Sequence, residues 1–194
     1  MHKCSSQRAF SRFLDNLKRI KDFNSMYYSN RLPKVVLCGI NPGRFGAGKT
    51  GIPFIDFNSL SQMIDNIHEN DSENSATFFY QVISEIGVKR FYETFYVTNL
   101  SWVGYSKSEK NFNYYQLSPP VKQFIYEMFK KEMEIVSPKT IISLGNEVKK
   151  SINTIFSDTG IDISNKLPHP SYCAMYNNKQ KCKDKYIELL KKYL

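Results

Sequence analysis

Three polar side chains each stand beside a predicted strand, where they could act on a ligand. Asn41 follows a short apolar run, Asn99 ends a second one, and His169 follows the last of them. An asparagine amide carries both a donor and an acceptor, and a histidine can donate a hydrogen bond to charge that develops on a leaving group. The plainer alternatives are turn chemistry for Asn41, a strand-end cap for Asn99, and a core or turn position for His169.

The elements that must position these residues alternate between strand and helix. This pattern predicts an α/β fold, a three-layer α/β/α sandwich with a central four-stranded, mostly parallel sheet. Ligands of such sheets bind beyond the carboxyl ends of the strands, so we expect Asn41, Asn99 and His169 to lie along one rim. The predicted strands are 35–38, 93–100, 139–144 and 161–167, and the predicted helices are 7–28, 59–69, 76–86, 121–136, 147–156 and 179–194.

Two polar stretches and one helix face complete this prediction. Residues 70–75 read as an exposed loop, and residues 101–120 are rich in Tyr, Asn and Ser before a helix start at their end. The helix that follows has apolar residues at helical spacing, which predicts a core stripe of Val121, Phe124, Ile125, Met128 and Phe129.

A glycine-rich loop surrounds Asn41. The preceding run, Val35 to Cys38, is apolar and rich in β-branched residues, which predicts a central strand buried on both faces. From Gly39 to Pro53 the chain then has five glycines and two prolines. Such a backbone makes turns that side chains would forbid and lets a ligand approach the main chain closely.

Part of this loop matches the phosphate-binding P-loop pattern. Residues 43–50 read G-R-F-G-A-G-K-T, which satisfies G-x-x-x-x-G-K-[ST]. In a P-loop the Lys and Thr open a helix, whereas here Gly51, Ile52 and Pro53 follow without helical periodicity. No second strand ends in a magnesium-binding Asp. A nucleotide hydrolase or kinase that binds triphosphate through Lys49 is therefore one alternative hypothesis.

Composition limits the class of protein. The chain has 194 residues, 41% of them hydrophobic, and we predict one domain spanning residues 1–194. Its net charge of +9 favours an anionic partner such as nucleic acid. The sequence lacks an apolar run of ~18 residues and a secretory leader, so we expect a cytoplasmic protein without membrane contact. The four cysteines include no C-x-x-C pair, which argues against a zinc ribbon or an iron–sulfur cluster and predicts free thiols. We expect no metal and no cofactor.

Three segments together resemble the single-strand-selective monofunctional uracil-DNA glycosylases, within the uracil-DNA glycosylase superfamily. Residues 39–54, G-I-N-P-G-R-F-G-A-G-K-T-G-I-P-F, resemble the family's G-M-N-P-G-x-F-G-x-x-x-T-G-V-P-F. Residues 96–99 look like the strand whose last Asn reads the base, and residues 169–171 look like the H-P-S motif. The segments occur in the family's order and are spread over most of the chain.

The resemblance implies a uracil-DNA glycosylase-like fold and a defined reaction. Such an enzyme flips a base out of single- or double-stranded DNA and hydrolyses its N-glycosidic bond, which leaves an abasic site for base excision repair. The expected bases are uracil and related bases such as hydroxymethyluracil, with xanthine and hypoxanthine as further candidates. We expect a monomer without cofactor, on the bacterial nucleoid or in a eukaryotic nucleus. A DNA-binding module without catalysis is the other alternative.

The same resemblance implies roles for single residues. Asn41 would hold the water beside the sugar C1′, Asn99 would bond the uracil edge, and His169 would donate to O2 as negative charge accumulates. Phe54 would stack on the base, with a core aromatic as its alternative. Gly43 would let backbone amides reach the substrate, and the base-binding loop would also include Gly39 and Ile40.

The DNA-contacting residues are implied in the same way. After the H-P-S motif the family carries a wedge loop, which falls here on residues 172–176, with Tyr172, Met175 and Tyr176 as expected DNA contacts. Ser171 before this loop and Lys179 after it are also expected to contact DNA. Lys49 is expected to be a loop cation or a contact to backbone phosphate. Because Asn41 cannot ionise, no strong general base is evident. Asp56 is the nearest carboxylate, and a loop charge or helix cap is its expected role.

Overall fold

The computed structural model describes residues 7–10, 16–29, 33–107, 110–175 and 179–194. Its strands are β1 (Gln7–Phe10), β2 (Val35–Gly39), β3 (Phe95–Asn99), β4 (Gly104–Lys107), β5 (Lys110–Phe112), β6 (Thr140–Leu144) and β7 (Lys166–Leu167). Its helices are α1 (Leu17–Tyr28), α2 (Ala47–Thr50), α3 (Phe57–Leu60), α4 (Asn74–Ile86), α5 (Val88–Thr94), α6 (Pro119–Val136), α7 (Asn146–Phe156), α8 (Pro170–Met175) and α9 (Lys179–Leu190).

A four-stranded sheet in the order β3-β2-β6-β7 lies at the centre, and every neighbouring pair in it is parallel. Successive side chains of β2 enter the two cores on opposite faces of this sheet. Leu37 packs into one core with α4 and α9, whereas Val36 and Cys38 pack into the other with α6 and α7. The predicted α/β sandwich and the doubly buried central strand are confirmed.

The amino-terminal element differs from the prediction. Residues 7–10 form β1, which pairs antiparallel with β4, and residues 11–15 of the predicted helix lie outside the described residues. The helix α1 begins at Leu17. β5 continues this second sheet, so part of the stretch 101–120 forms strands. Periodicity could not reveal this sheet, because a ladder depends on a partner that is distant in sequence.

Two other predicted elements are shorter than expected. Of the predicted helix 59–69, only the end of α3 is helical, and Asn66 has a positive φ of 63°, which a helix does not accommodate. Of the predicted strand 161–167, only β7 forms a strand, and Asp162 makes a single parallel bridge with Thr140. The Asp162 carboxylate accepts a hydrogen bond from the Ser164 amide at 2.9 Å, and this turn interrupts the strand.

The buried face of α6 also differs from the predicted stripe. Val121 and Phe124 are exposed, with 40% and 63% of their surface accessible. Ile125 and Phe129 are buried as predicted, but the buried row continues towards the end of the helix and contains a carboxylate that hydrophobic patterning leaves out. Its members are Ile125, Phe129, Glu132, Met133 and Val136.

No helix among the described residues is both long and apolar enough to cross a membrane.

The side chain of Tyr28 makes hydrogen bonds to the main chain along the free edge of β3. The Tyr28 hydroxyl donates to the Phe95 carbonyl and accepts from the Val97 amide, each at 3.3 Å. It thereby satisfies main-chain groups that an edge strand would otherwise leave without partners. Neighbouring Tyr27 packs on the rings of Phe23 and Tyr92, and its hydroxyl has no hydrogen-bond partner among the described residues.

We therefore expect Tyr28→Phe to lower the free energy of unfolding by about 1 to 2 kcal/mol, because it leaves the edge amide without its acceptor. Tyr27→Phe is the matched control and should change it by less than about 0.5 kcal/mol. Urea denaturation of both variants measures the difference. Equal stabilities would show that the Tyr28 hydroxyl does not support the edge.

Candidate active site

The strand register brings the predicted residues to one rim. Gly39 and Asn99 are direct partners at the carboxyl ends of β2 and β3, and His169 lies two residues beyond β7. A cavity of 240 Å³ opens at this rim. Seven of the residues singled out from the sequence line it: Ile40, Asn41, Gly43, Phe54, Asn99, His169 and Ser171.

The Asn41 amide is held in a fixed orientation. Its Oδ1 accepts from the Tyr114 amide at 3.2 Å, and its Nδ2 donates to the Pro42 carbonyl at 3.3 Å. Tyr114 is fully buried, and its hydroxyl lies 2.7 Å from the Ser151 hydroxyl on α7. Asn41 is therefore anchored to the core, while its amide keeps hydrogen-bonding capacity towards the cavity.

Phe54 and Asn99 both approach residue 39 so closely that only glycine fits there. A Cβ at Gly39 would lie 2.4 Å from Asn99 Oδ1 and 2.4 Å from Phe54 Cζ. Phe54 has a positive φ of 57°, which is strained for a side chain of this size. Its ring lies 4.8 Å from that of Phe79 and 6.0 Å from that of His169, so one aromatic residue belongs to both core and cavity wall.

The hydrogen bonds of His169 identify its tautomer. Nδ1 lies 3.2 Å from the backbone nitrogen of Ser171, which can only donate, so Nδ1 is the unprotonated nitrogen. The Ser171 hydroxyl, 2.8 Å from the same nitrogen, therefore donates as well. Burial lowers the pKa of His169 from 6.5 to about 4. At neutral pH the ring is uncharged and carries its hydrogen on Nε2, which has no acceptor among the described residues.

Glu73 lines the cavity and was missed by sequence reasoning. Its Oε2 accepts from the amides of Gly46 at 2.8 Å and Phe45 at 3.3 Å, and its Oε1 accepts from the Ser75 hydroxyl at 2.5 Å. A Cβ at Gly43 would lie 2.2 Å from this carboxylate. The polar stretch 70–75 is therefore not a simple exposed loop. The only sequence signal was a carboxylate directly before a helix start.

The contacts of this loop contradict the P-loop hypothesis. The amides of Phe45 and Gly46, which a phosphate would need, are bonded to Glu73. Lys49 pairs with Asp71 at 2.5 Å, and the Thr50 hydroxyl donates to the Ile55 carbonyl at 2.7 Å. The one-turn helix α2 then ends at Thr50 and is followed by Gly51, whose φ is 77°. The G-K-T residues therefore stabilise the loop internally.

Asp56 is a structural cap, as expected. It is fully buried, and its two carboxylate oxygens accept from the amides of Ser59 at 2.7 Å and Glu73 at 2.8 Å. It does not line the cavity. The carboxylate nearest to the site is thus Glu73, and Asp56 holds the residue that carries it.

Two of the expected DNA-contacting residues lie on the surface of α8, the helix that follows His169. Tyr172 and Met175 on α8 are 49% and 66% exposed, whereas Cys173 between them is buried. Lys179 begins α9 and is exposed. Tyr176 lies outside the described residues.

Two asparagines in the cavity wall, Asn111 and Asn113, were also not predicted. They belong to β5 and the turn after it, in the stretch for which the sequence indicated no strand. In the described part of the chain no group of three or more His, Cys, Asp or Glu side chains could hold a metal ion.

Comparison with known proteins identifies the family of this chain. The profile of the Uracil DNA glycosylase superfamily matches residues 26–191, which include every cavity residue named above. The chain belongs to the uracil DNA glycosylase superfamily. It is therefore a DNA glycosylase, a hydrolase of N-glycosidic bonds that acts in base excision repair.

A solved structure supports the narrower resemblance. The crystal structure of wild-type Pedobacter heparinus SMUG2 is 28% identical, with a TM-score of 0.83. The match covers 98% of this chain and 92% of that one. It confirms the predicted resemblance to the single-strand-selective monofunctional glycosylases and the glycosylase-like fold. None of the functionally curated proteins matches the chain.

The tautomer of His169 can be measured directly. Nitrogen-resolved NMR of histidine-labelled protein should show one imidazole that is protonated on Nε2 at pH 7 and stays neutral to about pH 4. His169→Gln should remove that signal and so assign it. If the signal that His169→Gln removes is protonated on Nδ1, or titrates near pH 6.5, the proposed donor is contradicted.

The same pKa shift predicts how stability depends on pH. The folded-state pKa is lower than the unfolded one, so the unfolded chain binds a proton first as pH falls from 6.5 towards 4. His169 should therefore lower the free energy of unfolding as pH falls from 6.5 towards 4. His169→Gln should unfold with a shallower pH dependence, measured by urea denaturation at several pH values. An unchanged slope would show that His169 is not held neutral by the fold.

Proposed function

We propose that the protein is a monofunctional glycosylase that removes uracil from DNA, with Asn99 reading the base, His169 stabilising its departure and Asn41 placing the water. One observation carries this proposal. A neutral histidine with its Nε2–H available lines a cavity together with two fixed or buried asparagine amides.

Base choice follows from the Asn99 amide. A side-chain amide can accept from uracil N3–H and donate to O4, whereas cytosine presents the reversed pair. Asn99 is 4% exposed, and a Cβ at Gly39 would lie 2.4 Å from its Oδ1, so the amide is closely packed at the rim. Phe54 supplies the face on which a flipped base would stack.

Bond cleavage then depends on His169. When the C1′–N1 bond breaks, its electron pair passes to the base, and negative charge collects on N1 and O2. The His169 Nε2–H donor would lower this barrier without a proton transfer, because the ring is already neutral. Water held by Asn41 then adds to C1′. The products are the abasic strand, the uracil anion and a proton.

The cavity wall supports a product with an intact strand. A lyase that cleaves the strand needs an amine to form a Schiff base, and no lysine occurs among the described residues that line the cavity. We therefore propose an intact abasic strand as product, with no borohydride-trapped protein–DNA adduct. Excision of hydroxymethyluracil, xanthine and hypoxanthine is a further proposal that parallel assays would test.

The leaving-group role predicts a specific kinetic loss. His169→Ala should lower the single-turnover rate of uracil excision by about 10² to 10³, the usual effect of removing one oxyanion-type donor, with little change in DNA affinity. Asn41→Ala should be similarly slow. His68→Ala, at an exposed histidine outside the cavity, is the matched control. A His169→Ala enzyme at the wild-type rate would contradict this role. Binding of DNA without excision by the wild-type protein would favour the non-catalytic module.

The base-reading role predicts a change in selectivity. Asn99→Asp replaces the amide donor with an acceptor and should shift the preference for uracil over cytosine by about 1 to 3 kcal/mol. Asn153→Asp on the exposed face of α7 makes the same chemical change away from the cavity and should leave selectivity unchanged. Relative single-turnover rates on the two bases measure the shift. Identical selectivity in Asn99→Asp would remove this residue from the base-reading position.

A further inference from the structure

A second cavity lies directly beside the base-binding one. It is bordered by α1, β3 and the segment after β3, and its volume is also 240 Å³. Three residues, Pro42, Ala47 and Asn99, line both cavities. The two cavities are therefore separated by a wall about one residue thick. Because their volumes are equal, the second cavity could hold a group as large as a base bound in the first.

Aromatic rings dominate the wall of this second cavity. They come from α1, α5, β3 and the segment after β3, and they are Phe23, Tyr28, Tyr92, Tyr96 and Trp102. Flat apolar walls of this kind bind planar rings by stacking. The cavity therefore suits a planar heterocycle better than a flexible chain.

Trp102 is exposed but cannot turn freely. It is 55% exposed, and its Nε1–H donates to Glu132 Oε2 at 2.7 Å. Glu132 is itself buried, and its other oxygen accepts from the Tyr96 hydroxyl at 3.0 Å. The indole is thus fixed by its edge while much of the side chain stays open to solvent. Such an arrangement is preorganised for stacking.

The polar groups of the cavity favour a neutral ligand. No lysine or arginine occurs among its described lining residues, and the carboxylate of Glu132 lines it. A phosphate would be repelled there. The hydroxyl of Tyr92 is buried without a hydrogen-bond partner among the described residues. A carbonyl or ring nitrogen of a ligand that reached this hydroxyl could supply that partner.

We propose that this cavity receives a second nucleobase, the neighbour of the excised base on the same DNA strand, stacked on Trp102. The proposal rests on the proposed function, because the shared wall places the cavity next to a flipped base. It also gives the enzyme a contact to single-stranded DNA that does not depend on base identity, since every nucleobase has a face that can stack.

Trp102 is the only tryptophan of the chain, so its fluorescence reports on this site alone. The probe is a single-stranded oligonucleotide with uracil on a 2′-fluoro sugar, which resists hydrolysis. Two further oligonucleotides lack the base of the nucleotide on the 5′ or the 3′ side of that uracil. We expect the complete strand to quench the fluorescence and the loss of one of the two neighbouring bases to restore it. Equal quenching by all three strands would overturn the proposal.

Affinity gives an independent measurement with variants. Trp102→Ala should weaken binding of the complete strand by about 5- to 100-fold, the usual effect of losing one stacked base. The affinity of Trp102→Ala should not fall further when the strand also lacks the neighbouring base. Trp102→Phe keeps an aromatic ring, so its affinity should lie between those of the wild-type protein and Trp102→Ala. Phe124→Ala, which removes an exposed aromatic residue outside the cavity, is the matched control.

The outcomes separate this proposal from the proposed function. Normal uracil excision together with wild-type affinity in Trp102→Ala would overturn the second base site and leave the glycosylase assignment intact. Failure of the wild-type protein to excise any base would overturn the proposed function, whereas the quenching measurement, made on an uncleaved strand, would still decide the second site.

Discussion

The register between β2 and β3 constrains every other part of the site. Because the strands are parallel and in register, Gly39 and Asn99 stand side by side where both strands end. Asn99 and Phe54 can approach only because residue 39 has no side chain. The strained backbone of Phe54 is thus compensated by packing on both sides, against Phe79 in the core and beside Gly39 at the rim. A change of one residue in this register would turn Asn99 away from the cavity.

Two carboxylates, the buried one of Asp56 and the partly buried one of Glu73, stabilise the loop that completes the cavity. Asp56 accepts the Glu73 amide, and Glu73 in turn accepts the amides of Phe45 and Gly46. Charge-assisted hydrogen bonds of this kind are stronger than neutral ones, and they occupy the donors that would otherwise bind an external anion. The loop therefore has the sequence of a phosphate-binding element but presents its anion-binding amides to the protein itself. Its glycines make room for a carboxylate, not for a nucleotide.

Local signals in the sequence predicted much of this arrangement. The β-branched run before Gly39 predicted a strand buried on both faces, and the alternation of elements placed Asn41, Asn99 and His169 at one rim. Contacts distant in sequence could not be predicted. Glu73 acts on a loop 27 residues away, and β1 finds its partner in β4. The hydrogen bond between Trp102 and Glu132 could not be predicted either, because hydrophobic periodicity identifies apolar helix faces and the buried carboxylate of Glu132 interrupts that of α6.

The geometry of the bound base tests the central claim most directly. A crystal structure with single-stranded DNA that carries uracil on a 2′-fluoro sugar should show the base stacked on Phe54. Uracil O2 should lie at hydrogen-bonding distance, about 2.7 to 3.2 Å, from His169 Nε2, with the Asn99 amide opposite N3 and O4. A base that entered this cavity with O2 directed away from His169, or that bound elsewhere, would contradict the account.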